Sequence, residues 1–344
     1  MLLMIIQENI SLKNYNTLGI EAKAKFFVVI KSEEELVELL DNKIWIENKR
    51  FILGGGANTL FKSDFDGLVV KNEMMGKEII KEEGNDVQVR IGAGEDWPEF
   101  VDWCVEKNIG GIENLAMIPG CVGASPIGNI GAYGVEVKDL IESVEGINLE
   151  SKEKKIYKNS ECKFGYRDSI FKNELKDKFV VTGVIWKLKI ANENYELNIN
   201  YSDIKRKIDE SNINIANLSV KDIAAMIRDI RNNKLPDWKV IGTAGSFFKN
   251  PVVNKSEFEK LKEKYDNLLG FDFEDKIKLS AGQLIEMAGF KGMKVGNAGT
   301  YQYHALIIIN EGGSGQEVME FASSIQSKVK EMFGVDLEPE VNYV

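Results

Sequence analysis

A single histidine, His304, stands in a chain of 344 residues. That excludes histidine-rich metal centres and leaves a Ser-His-Asp relay one imidazole to be built on. No metal site is expected. Any chemistry must therefore run on other acids or on a bound cofactor. Three polar residues are candidates. Arg167, in FGYRDSIFK from Phe164 to Lys172, carries a planar fork that matches a carboxylate or phosphate. An ion pair with the adjacent Asp168, or a place on the surface, is its plain alternative. Ser246 follows the small residues Thr243-Ala244-Gly245 and precedes Phe247-Phe248, inside KLPDWKVIGTAGSFFKNP. A hydrogen-bonded turn serine is the alternative there. Glu340 follows Pro339 in LEPEV near the end of the chain, where a carboxylate can simply face water.

Two glycine-rich segments suggest what the cofactor would be. GGGANTLF runs from Gly54 to Phe61, directly after the strand-like Phe51-Ile52-Leu53. IPGCVGASPIGNIGAYG runs from Ile118 to Gly134, with five glycines in seventeen residues and Pro119 and Pro126 to stiffen it. Glycine lets backbone N–H groups approach an anion closely, and consecutive amides form anion nests. The first segment is not a P-loop, because no Gly-Lys-Ser/Thr follows it, and Thr59 breaks the dinucleotide fingerprint. Tight turns would explain either segment alone. Together they suit a dinucleotide pyrophosphate.

These segments need elements to hold them. Phe26 to Ile30 is a β-rich run, and Ser32 with Glu35 reads as a capping box ahead of Leu36, Val37, Leu39 and Leu40, so the first ~70 residues read as a small βαβ unit. Val87, Val89 and Ile91 alternate with polar residues as a half-buried strand does. Asp96 starts a helix that tolerates Pro98 and is expected to end at Gly110-Gly111. A long strand is expected over 178–190 and a helix over 219–233 capped by Ser219. After Lys234-Leu235-Pro236 the reading is a second capping box at Ser256 and Glu259, then a helical stripe of Val318, Phe321, Ile325, Val329 and Met332 ending at Gly334. The segment 335–344 reads as a final strand. The mixture is α+β.

The bulk properties narrow the partners. The formal charge is -10, an acidic balance that argues against a phosphate-backbone partner, so no nucleic acid is expected. Cys104, Cys121 and Cys162 lack disulfide or zinc spacing, which fits a reducing, cytoplasmic setting. The apolar MLLMII start is too short for a signal peptide or a membrane helix, and no membrane partner is expected.

GGGAN, IPG…GNIGAYG, FGYRDSIFK, KLPD…AGSFFKNP and LEPEV occur in this order, after Asn16-Thr17-Leu18-Gly19. The set resembles the bacterial enolpyruvyl reductases of peptidoglycan synthesis, in the subtype with a substrate-covering tyrosine loop, over essentially the whole chain. The resemblance implies three domains: residues 1–72 and 73–234 binding FAD in the vanillyl-alcohol oxidase-like (PCMH) manner, with the tail 336–344 near the first, and residues 235–335 binding the UDP-sugar. It implies noncovalent FAD, NADPH as co-substrate, and conversion of UDP-N-acetylglucosamine enolpyruvate to UDP-N-acetylmuramate. A monomer is expected. By the same resemblance Ser246 donates the proton, and Arg167 and Glu340 stabilise the developing enolate. Lys234 and Asn250 hold the diphosphate, Tyr201 covers the substrate, and His304 lies near its carboxylate. Gly54, Gly55, Gly56, Ala57, Asn58 and Thr59 would line the flavin site from the first loop. Pro119, Gly120, Gly123, Ala124, Ser125, Asn129, Gly131, Ala132 and Tyr133 would line it from the second.

Three positions depart from the pattern. Ala57 stands where many members carry serine, Trp238 replaces a second proline, and His304 stands where some carry glutamine. A strand-edge histidine facing water is the alternative for His304. Two other functions remain open. One is a flavin oxidase of the same fold, which the Arg167, Ser246 and Glu340 segments count against. The other is a non-catalytic nucleotide-sugar binding protein, which would be marked by loss of Ser246 or Glu340.

Overall fold

The alternating apolar residues of the middle of the chain build its largest sheet. In the computed structural model, which describes residues 4–211 and 213–344, the strand Asp86–Gly92 buries Val87, Val89 and Ile91 completely. It pairs antiparallel with Phe179–Ile190, which in turn pairs with Ile141–Asn148. Lys154–Lys158 and Lys77–Glu83 form the two edges, and the short Ile109–Gly110 adds to Phe179–Ile190. The helix Trp97–Glu106 packs its apolar face into this core. Trp97, Phe100 and Trp186 meet there with ring centroids 5.3–5.7 Å apart. Each such side chain contributes about 1.5–3 kcal/mol by leaving water.

A second, four-stranded sheet has the order Gln7–Ser11, Lys23–Ile30, Phe65–Asn72, Lys49–Leu53. Lys49–Leu53 runs parallel to Phe65–Asn72, with Phe51 opposite Val69. The helix Glu33–Leu40 buries Leu36, Leu39 and Leu40. Ser32 caps it by accepting from the Glu35 N–H at 3.2 Å, while the Glu35 carboxylate accepts from the Lys31 N–H rather than from Ser32.

The chain divides into two compact units. One comprises Met1–Ile10, Ala24–Gly55 and Asp66–Asn233, and the other Ser11–Lys23, Gly56–Phe65 and Lys234–Val344. The second unit holds a four-stranded sheet ordered Gly242–Ser246, His304–Asn310, Ala298–Tyr301, Lys294–Val295. It also holds a three-stranded sheet of Val252–Val253, Lys276–Leu279 and Gly270–Phe273. The helix Gly315–Phe333 buries Val318, Phe321, Ile325 and Val329 and stops at Gly334, whose φ of 69° is the left-handed cap that glycine adopts freely. The architecture is α+β.

Three local expectations need correction. The helix after Asp96 ends at Glu106, and Gly110 lies in a strand, because it pairs with Lys189 while Ile109 pairs with Ile190. The capping box of the helix Lys255–Lys264 is made by Asn254 and Glu257, two residues ahead of Ser256 and Glu259. The tail forms a strand only at Asn342–Tyr343, parallel to Thr59–Leu60, with an isolated bridge between Phe248 and Pro339. Pro339 has no N–H to donate to a longer ladder. Among the described residues no helix is long and apolar enough to cross a membrane.

Candidate active site

Arg167 sits at the tip of a tight turn closed by reciprocal backbone bonds between Gly165 and Asp168, at 3.0 and 3.3 Å. Its φ of 54° is unusual for a residue with a side chain. Such strain persists only where the surroundings over-determine it, and it concentrates at functional sites. The surroundings are the second glycine loop. Arg167 donates from Nη2 to the Gly131 carbonyl at 3.0 Å and from Nη1 to the Asn129 carbonyl at 3.4 Å. Asn129 returns the contact by donating to the Gly165 carbonyl at 2.8 Å. Its remaining bonds go to Glu136 and the Lys138 N–H, so its side chain braces the loop. The Asp168 carboxylate accepts from Asn173 at 2.8 Å.

Within the first unit, Gly54 and Gly55 pack against the second glycine loop, backbone on backbone. A Cβ on Gly55 would meet the Gly120 Cα at 2.6 Å and the Cys121 nitrogen at 3.0 Å, so no side chain fits there. Gly54 lies over the Cys121 sulfur, and Lys71 donates to the Gly54 carbonyl at 3.0 Å. Cys121 is buried, and burial pushes its thiol up, away from the reactive thiolate. Gly123 donates to the Ala93 carbonyl, and the Ser125 hydroxyl donates to Val122, a local turn bond. Pro119, Ala124 and Ala132 add no charge. Neither 54–59 nor 118–134 contains an acidic side chain. Closely approached amides, small side chains and no carboxylate make a donor set that fits a dinucleotide pyrophosphate.

Tyr133 belongs to the same loop, in the left-handed region at φ 50°. Its ring meets that of Tyr201 edge to face at 5.2 Å, and Tyr201 remains 43% exposed. Beneath them lies a residue that sequence reasoning missed. Arg231, in the helix Val220–Lys234, donates to the Tyr133 hydroxyl, while its own Nε is buried with no hydrogen-bond partner. Burial lowers the Arg231 pKa and raises that of Tyr133. The signal was available: Arg231 continues the i, i+4 stripe of the buried Ile223 and Ile227, where a cation is out of place.

The second unit brings Ser246 and Glu340 into register. Ser246 ends the strand Gly242–Ser246, after a bulge in its pairing with His304–Asn310. Gly245 makes this possible with φ 73°, and the bulge leaves Ser246 exposed next to the buried Phe247. Thr243 anchors the bend by donating to the Ile308 carbonyl at 2.9 Å. The tail then runs alongside: Lys249 donates to the Glu338 carbonyl and the Glu340 N–H to the Phe247 carbonyl, both at 2.9 Å. Asn58 donates to the Glu340 carbonyl at 3.0 Å and accepts at its own carbonyl from the Asn342 N–H. Thr17 braces the same loop, donating from its N–H to Gly56 and from its hydroxyl to Ala57. Thr59 is buried in the short strand beside the tail.

Lys234 and His304 lie within electrostatic reach of each other. Burial first, then Lys234 and Lys291, lowers the His304 pKa, and Glu286 opposes them weakly. The Nδ1 of His304 accepts from the Leu306 N–H at 3.3 Å, so Nε2 carries the proton of the neutral ring. His304 is the first residue of its strand and is half-buried rather than facing water. The Asn250 carbonyl oxygen accepts from the Ala281 N–H at 3.0 Å, which leaves its amide protons as the group a ligand would meet. Among the described residues no group of three or more His, Cys, Asp or Glu is placed to hold a metal.

Comparison with known proteins sharpens this picture. A family model described as an FAD binding domain matches residues 24–152. A second, described as the C-terminal domain of UDP-N-acetylenolpyruvoylglucosamine reductase, matches residues 236–344. With the paired glycine loops, these matches define an FAD-dependent oxidoreductase. The UDP-N-acetylenolpyruvoylglucosamine reductase of Flavobacterium johnsoniae is 47% identical, across 99% of this chain and 100% of its own. That of Aliivibrio fischeri is 41% identical, across 99% and 95%. The chain belongs to the UDP-N-acetylenolpyruvoylglucosamine reductase family. The crystal structure of the Thermus caldophilus reductase shares the fold, with a TM-score of 0.67 at 24% identity over 99% of both chains.

Proposed function

We propose that this chain reduces UDP-N-acetylglucosamine enolpyruvate to UDP-N-acetylmuramate in peptidoglycan precursor synthesis, with FAD held noncovalently and NADPH as the hydride source. Bound FAD supplies the hydride chemistry. The protein's part is to hold the substrate, stabilise charge and deliver a proton. Hydride addition to the enolpyruvyl group places negative charge next to a carboxylate, and that charge needs preorganised partners. In this reading Arg167 and Glu340 are those partners and Ser246 protonates the adjacent carbon. A serine hydroxyl is a weak acid, so it acts only if held close and in line. The glycine bulge that exposes Ser246 suits this task.

The observation that carries the reading is the bond between the Glu340 N–H and the Phe247 carbonyl. It puts the segment of the proposed charge stabiliser in register with the residue after the proposed acid. Lys234 and Asn250 serve the diphosphate, Tyr201 covers the substrate, and His304 donates from Nε2 towards its carboxylate. The flavin lies on residues 54–59, with Ala57 contributing only backbone, and on the second loop from Pro119 to Tyr133. The division into 1–72, 73–234 and 235–335 belongs to the same reading. It is supported by the end of the helix at Lys234 and by the start of the C-terminal family match at residue 236. So do a cytoplasmic location and a monomeric state, the former suited by three free, buried cysteines.

Purified protein should be yellow and should consume NADPH only with the enolpyruvyl sugar present. Consumption of NADPH with oxygen alone, at a comparable rate, would point to an oxidase. Binding of the UDP-sugar without turnover would point to a non-catalytic binder.

A further inference from the structure

Residues 191–200 form a strap without regular structure between the long strand Phe179–Ile190 and the helix Ser202–Ser211. Tyr201 stands at its end. An irregular segment of this length would ordinarily move freely, yet this one is tied down at two points by consecutive residues of one short turn, Glu113–Leu115. At the first, the Tyr195 hydroxyl donates to the Glu113 carboxylate at 2.8 Å, and the other carboxylate oxygen accepts from the Gly111 N–H at 2.6 Å. Glu113 is 1% exposed. The Tyr195 ring lies on Gly110, where a Cβ would come within 2.5 Å of it. At the second, Asn114 donates to the Asn198 carbonyl at 2.8 Å and to the Tyr133 carbonyl at 3.0 Å. Asn198 completes the ring of contacts by donating to the Gly134 carbonyl at 3.1 Å.

Asn114 therefore holds both halves of the aromatic pair, the strap that ends at Tyr201 and the loop that carries Tyr133. Leu197, between the two points, and Ile199, just past the second, add apolar contact with the core. Buried carboxylates are rare without a purpose, and one that faces a tyrosine on an irregular strap is costly to leave unpaired.

We infer that Glu113 with Tyr195, and Asn114 with Asn198, are positioning residues that hold the strap so that Tyr201 stands over Tyr133, ready to receive the UDP-sugar. The inference rests on the reading of Tyr201 as a substrate-covering residue. The strap's contribution is to ordering: Tyr201 is placed before the substrate arrives, so binding does not have to immobilise the segment. The residues act on affinity and not on the reacting atoms.

The test is a double-mutant cycle on the FAD-loaded enzyme, using Tyr195→Phe and Tyr201→Ala, singly and together. Tyr195→Phe keeps the ring on Gly110 and removes only the hydroxyl, so it is the variant least exposed to misfolding. The expected result is a rise in KM for UDP-N-acetylglucosamine enolpyruvate of about 3- to 10-fold, with kcat within about twofold, since one hydrogen bond is lost. In the Tyr201→Ala background the same change should add nothing further. Amide exchange across 191–204 should accelerate in Tyr195→Phe, an independent readout of the anchor that needs no turnover. Glu113→Gln keeps an acceptor for the hydroxyl but loses the one for the Gly111 N–H, so it should recover part of the affinity that Glu113→Ala loses. If Tyr201→Ala raises KM while Tyr195→Phe adds its full effect on top of it, or leaves exchange unaltered, the strap does not position Tyr201 and the inference is overturned. If Tyr201→Ala leaves KM unchanged, the reading of Tyr201 itself fails, and the inference falls with it whatever the exchange data show.

Discussion

The Glu340 N–H donates to the Phe247 carbonyl at 2.9 Å, which ties the last turn of the chain to the residue after Ser246. Asn58, from the first glycine loop, accepts and donates on the same tail. A glycine bulge, a carboxyl-bearing tail and the first glycine loop are thus joined by bonds to main-chain atoms, one of them from the short Asn58 side chain.

Ser246→Ala should separate the two half-reactions. Flavin reduction by NADPH needs no proton from Ser246 and should proceed nearly unchanged. Reoxidation by the enolpyruvyl sugar should slow by about 10²- to 10⁴-fold, the usual contribution of a positioned general acid. Stopped-flow absorbance of each half-reaction checks this. Equal slowing of both halves, with lower stability, would mean that the hydroxyl only supports the turn.

Lys234→Ala should raise KM for the UDP-sugar by about 10- to 150-fold, the value of a lost charge-assisted contact worth ~1.5–3 kcal/mol. The KM for NADPH, a second diphosphate-bearing ligand, is expected to rise too. Steady-state kinetics with each ligand varied in turn would expose a wrong assignment as an unchanged pair of constants.

FAD should leave the protein completely on acid precipitation. The first loop has no histidine or cysteine, and Cys121 is buried under Gly54 with its thiol pushed up. Yellow colour retained in the pellet would contradict noncovalent binding.

Gly55→Ala should cost about 1–3 kcal/mol through overpacking of the two loops, because its Cβ would press on the Gly120 backbone. The flavin should dissociate more readily as well, so the variant is expected to purify pale. A fully yellow variant with an unchanged melting temperature would show that the loops can part at no cost.

Stability should fall as pH is lowered below 6.5, the ordinary histidine value, in part through His304. Its folded pKa is lowered by burial and by Lys234 and Lys291. Between the folded value and 6.5 the unfolded chain binds a proton that the folded chain does not, so the stabilisation is complete above 6.5 and lost as pH falls through the folded value. His304→Asn should flatten this part of the profile, as read from urea midpoints on both sides of the window. A parallel profile would place the imidazole in an unperturbed setting.

The sequence by itself determined whatever depends on neighbours within a few residues. Alternation at Val87, Val89 and Ile91 specified a strand, the stripe from Val318 to Val329 a helix, and Gly334 its end, because side-chain period and left-handed backbone are local properties. The order of the motif segments was enough to mark the family, and Arg167, Ser246 and Glu340 were given their roles only through that resemblance. Local reading failed where two equivalent signals competed: Ser256 with Glu259 has the same capping spacing as Asn254 with Glu257, and only the pairing of Val252–Val253 with Lys276–Leu279 decides which pair the helix begins on. Gly110 reads as a helix stop until Phe179–Ile190 is present to pair with it. The tertiary structure alone decided the contacts between distant segments: Glu340 with Phe247, Tyr195 with Glu113, and Arg231 beneath Tyr133. Such pairs leave no periodic trace, because each depends on strand register and helix packing set by segments far away along the chain.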